Sequence, residues 1–269
     1  MRRLIAAALV IVLALPAWAG ARHTVLMDVM RISELSHILH DEGVIYGAAL
    51  DDSWLEGQGG AAWAQQVARI YDVSRLSEGI RAGIEPALQG DALELAITFF
   101  ASDLGQRIIT LENSARRAMS DLAIEEQARK QYTARQGTED SRLKQINRMI
   151  DAGDLINRNV TSALNSNYQF LRALVDADVY TMSDAEILED VLAERAAIEA
   201  DTANWLGAFL TLAYSPLTLE ELTLYAEFGE TEAGKSLNNG LFAGFDPLYE
   251  GISYALGQAM AMNMTAEEL

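Results

Sequence analysis

The chain has 269 residues, with 20 Lys and Arg against 39 Asp and Glu, a formal charge of −19. So acidic a composition repels phosphate backbones and anionic head groups, which excludes nucleic-acid binding and electrostatic membrane attachment as its main role. It contains no Cys, which excludes disulfides, acylation at a cysteine and thiolate metal sites.

Arg2 and Arg3 precede an apolar run from Leu4 to Leu15, then Pro16 and the small-residue site Ala17-Trp18-Ala19. This is the pattern of a secretory signal peptide, residues 1–19, cleaved after Ala19; the run is short of the roughly 20 apolar residues that span a bilayer. A periplasmic protein is expected, with secretion as the other destination. Residues 20–269 then form an all-α domain, because helical periodicity runs through 24–264 and no stretch pairs β-branched enrichment with strict alternation.

The first helix is predicted from Thr24 to Asp41 with Gly43 ending it, followed by a loop over Asp51–Gly60. A helix bearing Trp63, Val67, Ile70 and Tyr71 follows, and Ser74 is read as the cap of the next, whose stripe is Leu76, Ile80, Ile84 and Leu88. From Asp91 a helix leads to an elbow at Ser102, and a long helix carries Leu104, Ile108, Leu111, Ala115, Met119 and Leu122 toward Tyr132. Beyond a turn at Gln136-Gly137-Thr138, helices are expected over Ser141–Ala152, Asp154–Asp176 and Ser183–Tyr214, the last opened by the capping box Ser183-x-x-Glu186. Thr218 and Glu221 form a second box after Pro216, and Pro247 is placed near a helix start.

Leu93, Leu95, Phe99, Ser102, Asp103 and Gly105 recur 129 residues later as Leu222, Leu224, Phe228, Thr231, Glu232 and Gly234. The spacing describes a helix-elbow-helix unit present twice, and divides the chain into related modules of about 24–138 and 139–269. In each, Ser102 or Thr231 is the expected N-cap, Gly105 or Gly234 sits in the first turn of the following helix, and Phe99 or Phe228 fills the core beneath. The expected architecture is a packed multi-helix array with this motif repeated inside it.

These residues carry a resemblance. Leu217-Thr218-x-Glu220-Glu221-Leu222 running into Phe228, Thr231, Ala233-Gly234-Lys235 and Leu237 resembles the bacterial family catalogued as domain of unknown function 2059, and so does Phe99-Phe100-Ala101-Ser102-x-Leu104-Gly105-Gln106-Arg107. The resemblance implies an exported helical module without an assigned activity and supplies no catalytic residue. The first copy departs from the family pattern at Asp91-Ala92, where the Thr and paired Glu of the helix start are replaced.

Several signatures of chemistry are present by spacing and fail by context. Gly229-Glu230-Thr231-Glu232-Ala233-Gly234-Lys235-Ser236 spells a phosphate loop, but an amphipathic helix precedes it where a strand is required, and the sibling elbow has Phe100, Gly105, Gln106 and Arg107 at the matching positions. Ser141-x-x-Lys144 lacks the companion motifs of a penicillin-binding nucleophile. His37 and His40, three apart, and the run Met260, Met262, Met264 are the candidate metal ligands; His23 stands near the new N-terminus. They read better as surface or half-buried histidines and as core-filling thioethers, so no metal or cofactor is expected. Asp176-x-Asp178 lacks the third ligand and glycine of a calcium loop. Glu220, Glu221, Glu227, Glu230 and Glu232 are carboxylates available to a glycan-processing enzyme, but they read better as caps that complement the helix dipole and as a solvated acidic face. The leading expectation is a binding or interaction module whose partner is an envelope protein or cell-wall component, with no nucleotide; a carboxylate-dependent peptidoglycan or glycan enzyme is the alternative. No catalytic residue is assigned.

Overall fold

A computed structural model describes the backbone of residues 14–266 and the side chains of 20–264. The expected leader over 1–19 falls outside the described residues except for the backbone of 14–19. Among the described residues the chain is all-helical: α1 (Ala14–Val29), α2 (Ile32–Trp54), α3 (Gly60–Ile70), α4 (Val73–Ala87), α5 (Gly90–Ala101), α6 (Asp103–Met119), α7 (Leu122–Arg135), α8 (Ser141–Ala152), α9 (Leu155–Asp176), α10 (Asp184–Ala193), α11 (Arg195–Ala213), α12 (Leu219–Glu230) and α13 (Glu232–Ala266). None of these helices is long and apolar enough to cross a membrane.

The long α13 organises the array. It packs against α4 on one side and α9 on the other, with further contacts to α3, α5 and α12. Its approach to α4 is a backbone-to-backbone crossing: a Cβ on Gly83 would lie 2.1 Å from the Gly244 nitrogen and 2.3 Å from the Gly240 oxygen. Only residues without a side chain permit this. The main core joins the apolar faces of α2 to α5, including Leu39, Trp63, Ile80, Ile84, Ile97 and Phe100, to Leu174 on α9 and to Leu237, Ile252, Leu256 and Met260 on α13. A second core gathers Ile108, Ala115, Ile146, Ile150, Leu206, Leu210 and Leu222 from α6, α8, α11 and α12.

The two elbows have the same local geometry. Ser102 (φ −68°, ψ 161°) and Thr231 (φ −68°, ψ 163°) are both extended between helices. The Ser102 hydroxyl accepts from the Gly105 N–H at 3.1 Å and donates to the Phe99 carbonyl at 2.6 Å; Thr231 accepts from Gly234 at 3.0 Å and donates to Phe228 at 2.6 Å. One hydroxyl thus satisfies an orphan donor of the new helix and an orphan acceptor of the old one. A Cβ at Gly105 would stand 2.2 Å from the Phe99 oxygen, and one at Gly234 2.2 Å from that of Phe228. Glycine is required at both.

The Phe rings do not fill separate cores. Phe99 and Phe228 stack on one another with centroids 4.0 Å apart and planes at 11°.

Several boundaries differ from the sequence expectation. The first helix breaks at Arg31, which is left-handed (φ 51°), and α2 then runs through Gly43 to Trp54. Gly43 ends nothing because its bare face receives the Tyr71 ring. Asp72, not Ser74, caps α4 by accepting from the Arg75 N–H at 2.9 Å. The helix expected to continue to Tyr132 is interrupted at Ser120-Asp121, where the Asp121 carboxylate caps α7. The helix expected from Ser183 to Tyr214 divides at Glu194. Pro247 lies inside α13. It removes a pairing N–H, but the carbonyl one turn back belongs to exposed Ala243, where water can serve it.

Candidate functional site

A cleft of about 580 Å³ opens between α6, α9, α11, α12 and α13. Its walls are mainly apolar, with Leu206, Phe209, Phe242 and Phe245 among them, and Phe100, Phe228 and Gly234 from around the elbows also line it. Asn159, Ser162 and Ser166 of α9 line it on the side where Asn159 is exposed.

Inside it stands Glu112, on the buried face of α6 between Ile108 and Ala115. The Tyr214 hydroxyl donates to Glu112 Oε1 at 2.7 Å and the Tyr225 hydroxyl donates to the same oxygen at 3.0 Å. Oε2 receives no hydrogen bond from a described residue. Burial pushes the Glu112 carboxyl above the usual carboxylate range, and the two phenolic bonds only partly oppose it. Burial and the adjacent Glu112 raise both phenols well above theirs, so each remains a donor.

An aromatic column links this carboxyl to the elbows. Tyr225 stacks near-parallel to Phe99 at 5.8 Å, Phe99 stacks on Phe228, and Tyr214 meets Tyr225 edge-on at 5.7 Å. One turn along α6, Arg116 also lines the cleft, but its guanidinium is held by Glu42 of α2 in a two-pronged pair: Nε to Oε1 at 2.8 Å and Nη2 to Oε2 at 2.9 Å. Asp246 of α13 is also among the lining residues, and its Oδ1 is buried with no hydrogen-bond partner. Buried polar atoms are ordinarily satisfied, so this oxygen, reached by neither a partner nor solvent, is a cost to the fold as it stands.

The carboxylates singled out in the sequence lie elsewhere. Glu220, Glu227, Glu230 and Glu232 are exposed on α12 and the start of α13. Glu221 is engaged by the Thr218 backbone at 2.7 Å and by Arg107 at 2.6 Å, and Glu230 by Arg148 at 2.5 Å. Those partners hold both carboxyls below their usual range, the reverse of what a general acid needs.

The other candidates are dispersed. His23 is buried with Nε2 2.8 Å from the Leu88 carbonyl, His40 has Nδ1 2.8 Å from the Tyr71 carbonyl, and His37 faces solvent. Among the described residues no group of three or more His, Cys, Asp or Glu could hold a metal ion. Met260 is fully buried, Met264 packs against the main core, and Met262 points outward. Lys144 pairs with Glu139 on the surface, and Ser141 is exposed at the start of α8. The segment before Gly229 is α12, so the phosphate-loop spelling sits on a helix-to-helix bend.

Glu112 and Asp246 escaped the sequence reading, although a signal existed. Glu112 interrupts the stripe Ile108, Leu111, Ala115, and Asp246 interrupts the face carrying Phe242, Phe245 and Tyr249. A charge inside an apolar stripe is a buried charge until shown otherwise.

Residues 85–131 match the model of a family described as an uncharacterized protein conserved in bacteria, domain of unknown function 2059. The matched segment spans the end of α4, α5, α6 and most of α7, and so carries the first elbow together with Glu112 and Arg116. Comparison with curated proteins and with solved structures gave no match.

Proposed function

We propose that this is an exported periplasmic protein that acts by binding, and that its helices enclose a cleft for an elongated, largely apolar molecule of the cell envelope. The observation that carries the reading is the cleft itself: about 580 Å³, apolar walls, and a small set of converging polar groups. That volume falls within the roughly 300–1,000 Å³ typical of small-molecule sites. The leader-like residues 1–19 support export, and the matching bends at Ser102 and Thr231 support reading the chain as two related modules, about 24–138 and 139–269, that meet around the cleft.

The test is native mass spectrometry of the protein purified from a bacterial envelope, alongside the variant Ala163→Trp, which places an indole in the cleft wall. A co-purifying small molecule present in the parent and lost from the folded variant supports the reading. An empty parent that also gives no thermal shift with any envelope lipid or glycan fraction overturns it.

A second reading has one observation in its favour. A carboxyl held above its usual range in a cleft is the equipment of a general acid, so Glu112 is the residue through which a glycan-processing activity would run. Release of muropeptides from purified peptidoglycan, abolished by Glu112→Gln, would establish it.

A further inference from the structure

Resting on the binding reading above, we infer that the cleft is a single site on a local two-fold axis between two equivalent six-helix halves, and that Gly153, Ser162 and Gly229 determine how long a molecule it admits. At these three positions the second half gives up side chains that the first half keeps. The halves are α1–α6 and α8–α13, with α7 connecting them, and their junctions correspond. Among the described residues the non-glycine positions at positive φ fall into two pairs: Arg31 (φ 51°) and Asp154 (φ 49°), the residues just before α2 and α9, and Glu56 (φ 52°) and Asp178 (φ 58°), two residues past the ends of those helices. Side-chain-bearing residues seldom adopt this conformation, so its recurrence at matching places marks a shared backbone course. The elbows at Ser102 and Thr231 are a third pair. Packing is reciprocal too, as a two-fold relation requires: α4 lies on α13 while α11 lies on α6, and α1 lies on α5 while α8 lies on α12.

Arg31 and Asp154 place the counterpart of a residue around α1 and α2 123 positions on, and the elbows place it 129 positions on in α5 and α6. With these offsets, each first-half residue in the cleft lining has its counterpart in the lining as well. A cavity touched by both members of every such pair lies on the axis, where Phe99 and Phe228, themselves counterparts, stack. Three pairs account for the room. Met30, Leu39 and Phe100 of the first half are buried apolar side chains, and their counterparts are the half-buried Gly153, Ser162 and Gly229. A Cβ at Gly229 would meet nothing within 4 Å, so the space a ring would take there is open. The charged groups are one-sided in the same way: the counterparts of Glu112 and Arg116 are Leu241 and Phe245. Had the second half kept large apolar side chains at the three positions, the axis would be filled as an ordinary core is; their loss leaves a volume for an apolar chain.

The experiment restores the first half's side chains and reads the length limit. Diphenylhexatriene, an elongated neutral hydrocarbon that fluoresces only out of water, is bound to the purified protein and displaced by hexanol, octanol, decanol and dodecanol. In the parent, affinity should rise along the whole series, because each further methylene is buried. Gly229→Phe and Ser162→Leu should each stay folded by circular dichroism, bind hexanol as the parent does, and bind dodecanol about tenfold more weakly or worse. Gly251→Phe adds the same ring on the exposed face of α13, where a Cβ also meets nothing within 4 Å, and should leave the series unchanged. Folded Gly229→Phe and Ser162→Leu that take dodecanol as the parent does overturn the inference, while loss of all binding in Ala163→Trp keeps the cleft reading standing. Unfolding of both variants also overturns it, because the counterpart side chains would then have no room. A parent that binds neither the fluorophore nor any alcohol overturns the inference and the binding reading together.

Discussion

Phe99 and Phe228 occupy corresponding places before the two elbows and lie face to face, 4.0 Å apart, each also meeting Phe100 edge-on at 5.2 and 5.5 Å. The contact joins the ends of α5 and α12, residues far apart in the chain, and through Tyr225 it reaches Glu112. The bends also contribute Phe100, Phe228 and Gly234 to the cleft lining.

Phe99→Ala should cost about 3 kcal/mol, toward the lower end for a phenylalanine truncation because the ring is half-buried. Phe228→Ala should cost a similar amount, and the two losses should not add. Denaturant unfolding of both single variants and the double variant is expected to give a coupling energy of about 1 kcal/mol, the worth of an aromatic pair beyond its buried area. Additive losses would mean the rings act independently.

At the α4 and α13 crossing, Gly83→Ala forces a methyl into the Gly244 backbone. Backbone cannot rotate aside as a side chain can, so the helices must separate, at about 3 kcal/mol or more. Gly251→Ala on the exposed face of α13, where nothing stands within 4 Å, should instead stabilise by up to about 1 kcal/mol through helix propensity. Opposite signs from two glycines of the same helix pair, read from urea midpoints, separate packing from propensity.

Glu112 makes the stability depend on pH. Its carboxyl titrates in the usual range when unfolded and higher when buried, so between those values the native state holds a proton that the unfolded chain has released. Stability should fall as pH rises through that window and level off above it. Glu112→Gln removes this component, leaving a flatter profile over the same interval. Unfolding free energies measured at a series of pH values check the difference, and unchanged slopes would show that Glu112 is not shifted.

Asp246→Asn should stabilise the ligand-free protein, by about 1 kcal/mol, because it replaces a poorly solvated, unpaired carboxylate oxygen by a neutral group of the same shape. A gain in melting temperature would show that the unpaired oxygen is a net cost to the fold. A loss would place Asp246 in the structural framework.

Local signals were legible where a short-range interaction decides the outcome. The boxes at Ser183 with Glu186 and Thr218 with Glu221 form as the residue types dictate, since donor and acceptor are three positions apart on one backbone. The limits of α8 were legible for the same reason. Gly43 misled because a glycine that ends a helix and one that admits a Tyr ring look alike until the ring's position is known. The glutamates of α12 read better as helix-start caps and a solvated face than as acids, and their arginine partners, set by helices distant in sequence, give them that structural work.

What the sequence determined by itself was the helical class, the capped starts and the glycine-bearing bends, because each depends on side-chain and backbone chemistry within a few residues. Which carboxyl became buried, which arginine was neutralised and where a cavity remained depended on how α2, α6, α11, α12 and α13 come together. Burial and pairing are properties of that assembly, and they turn one glutamate among many into the polar centre of a cleft.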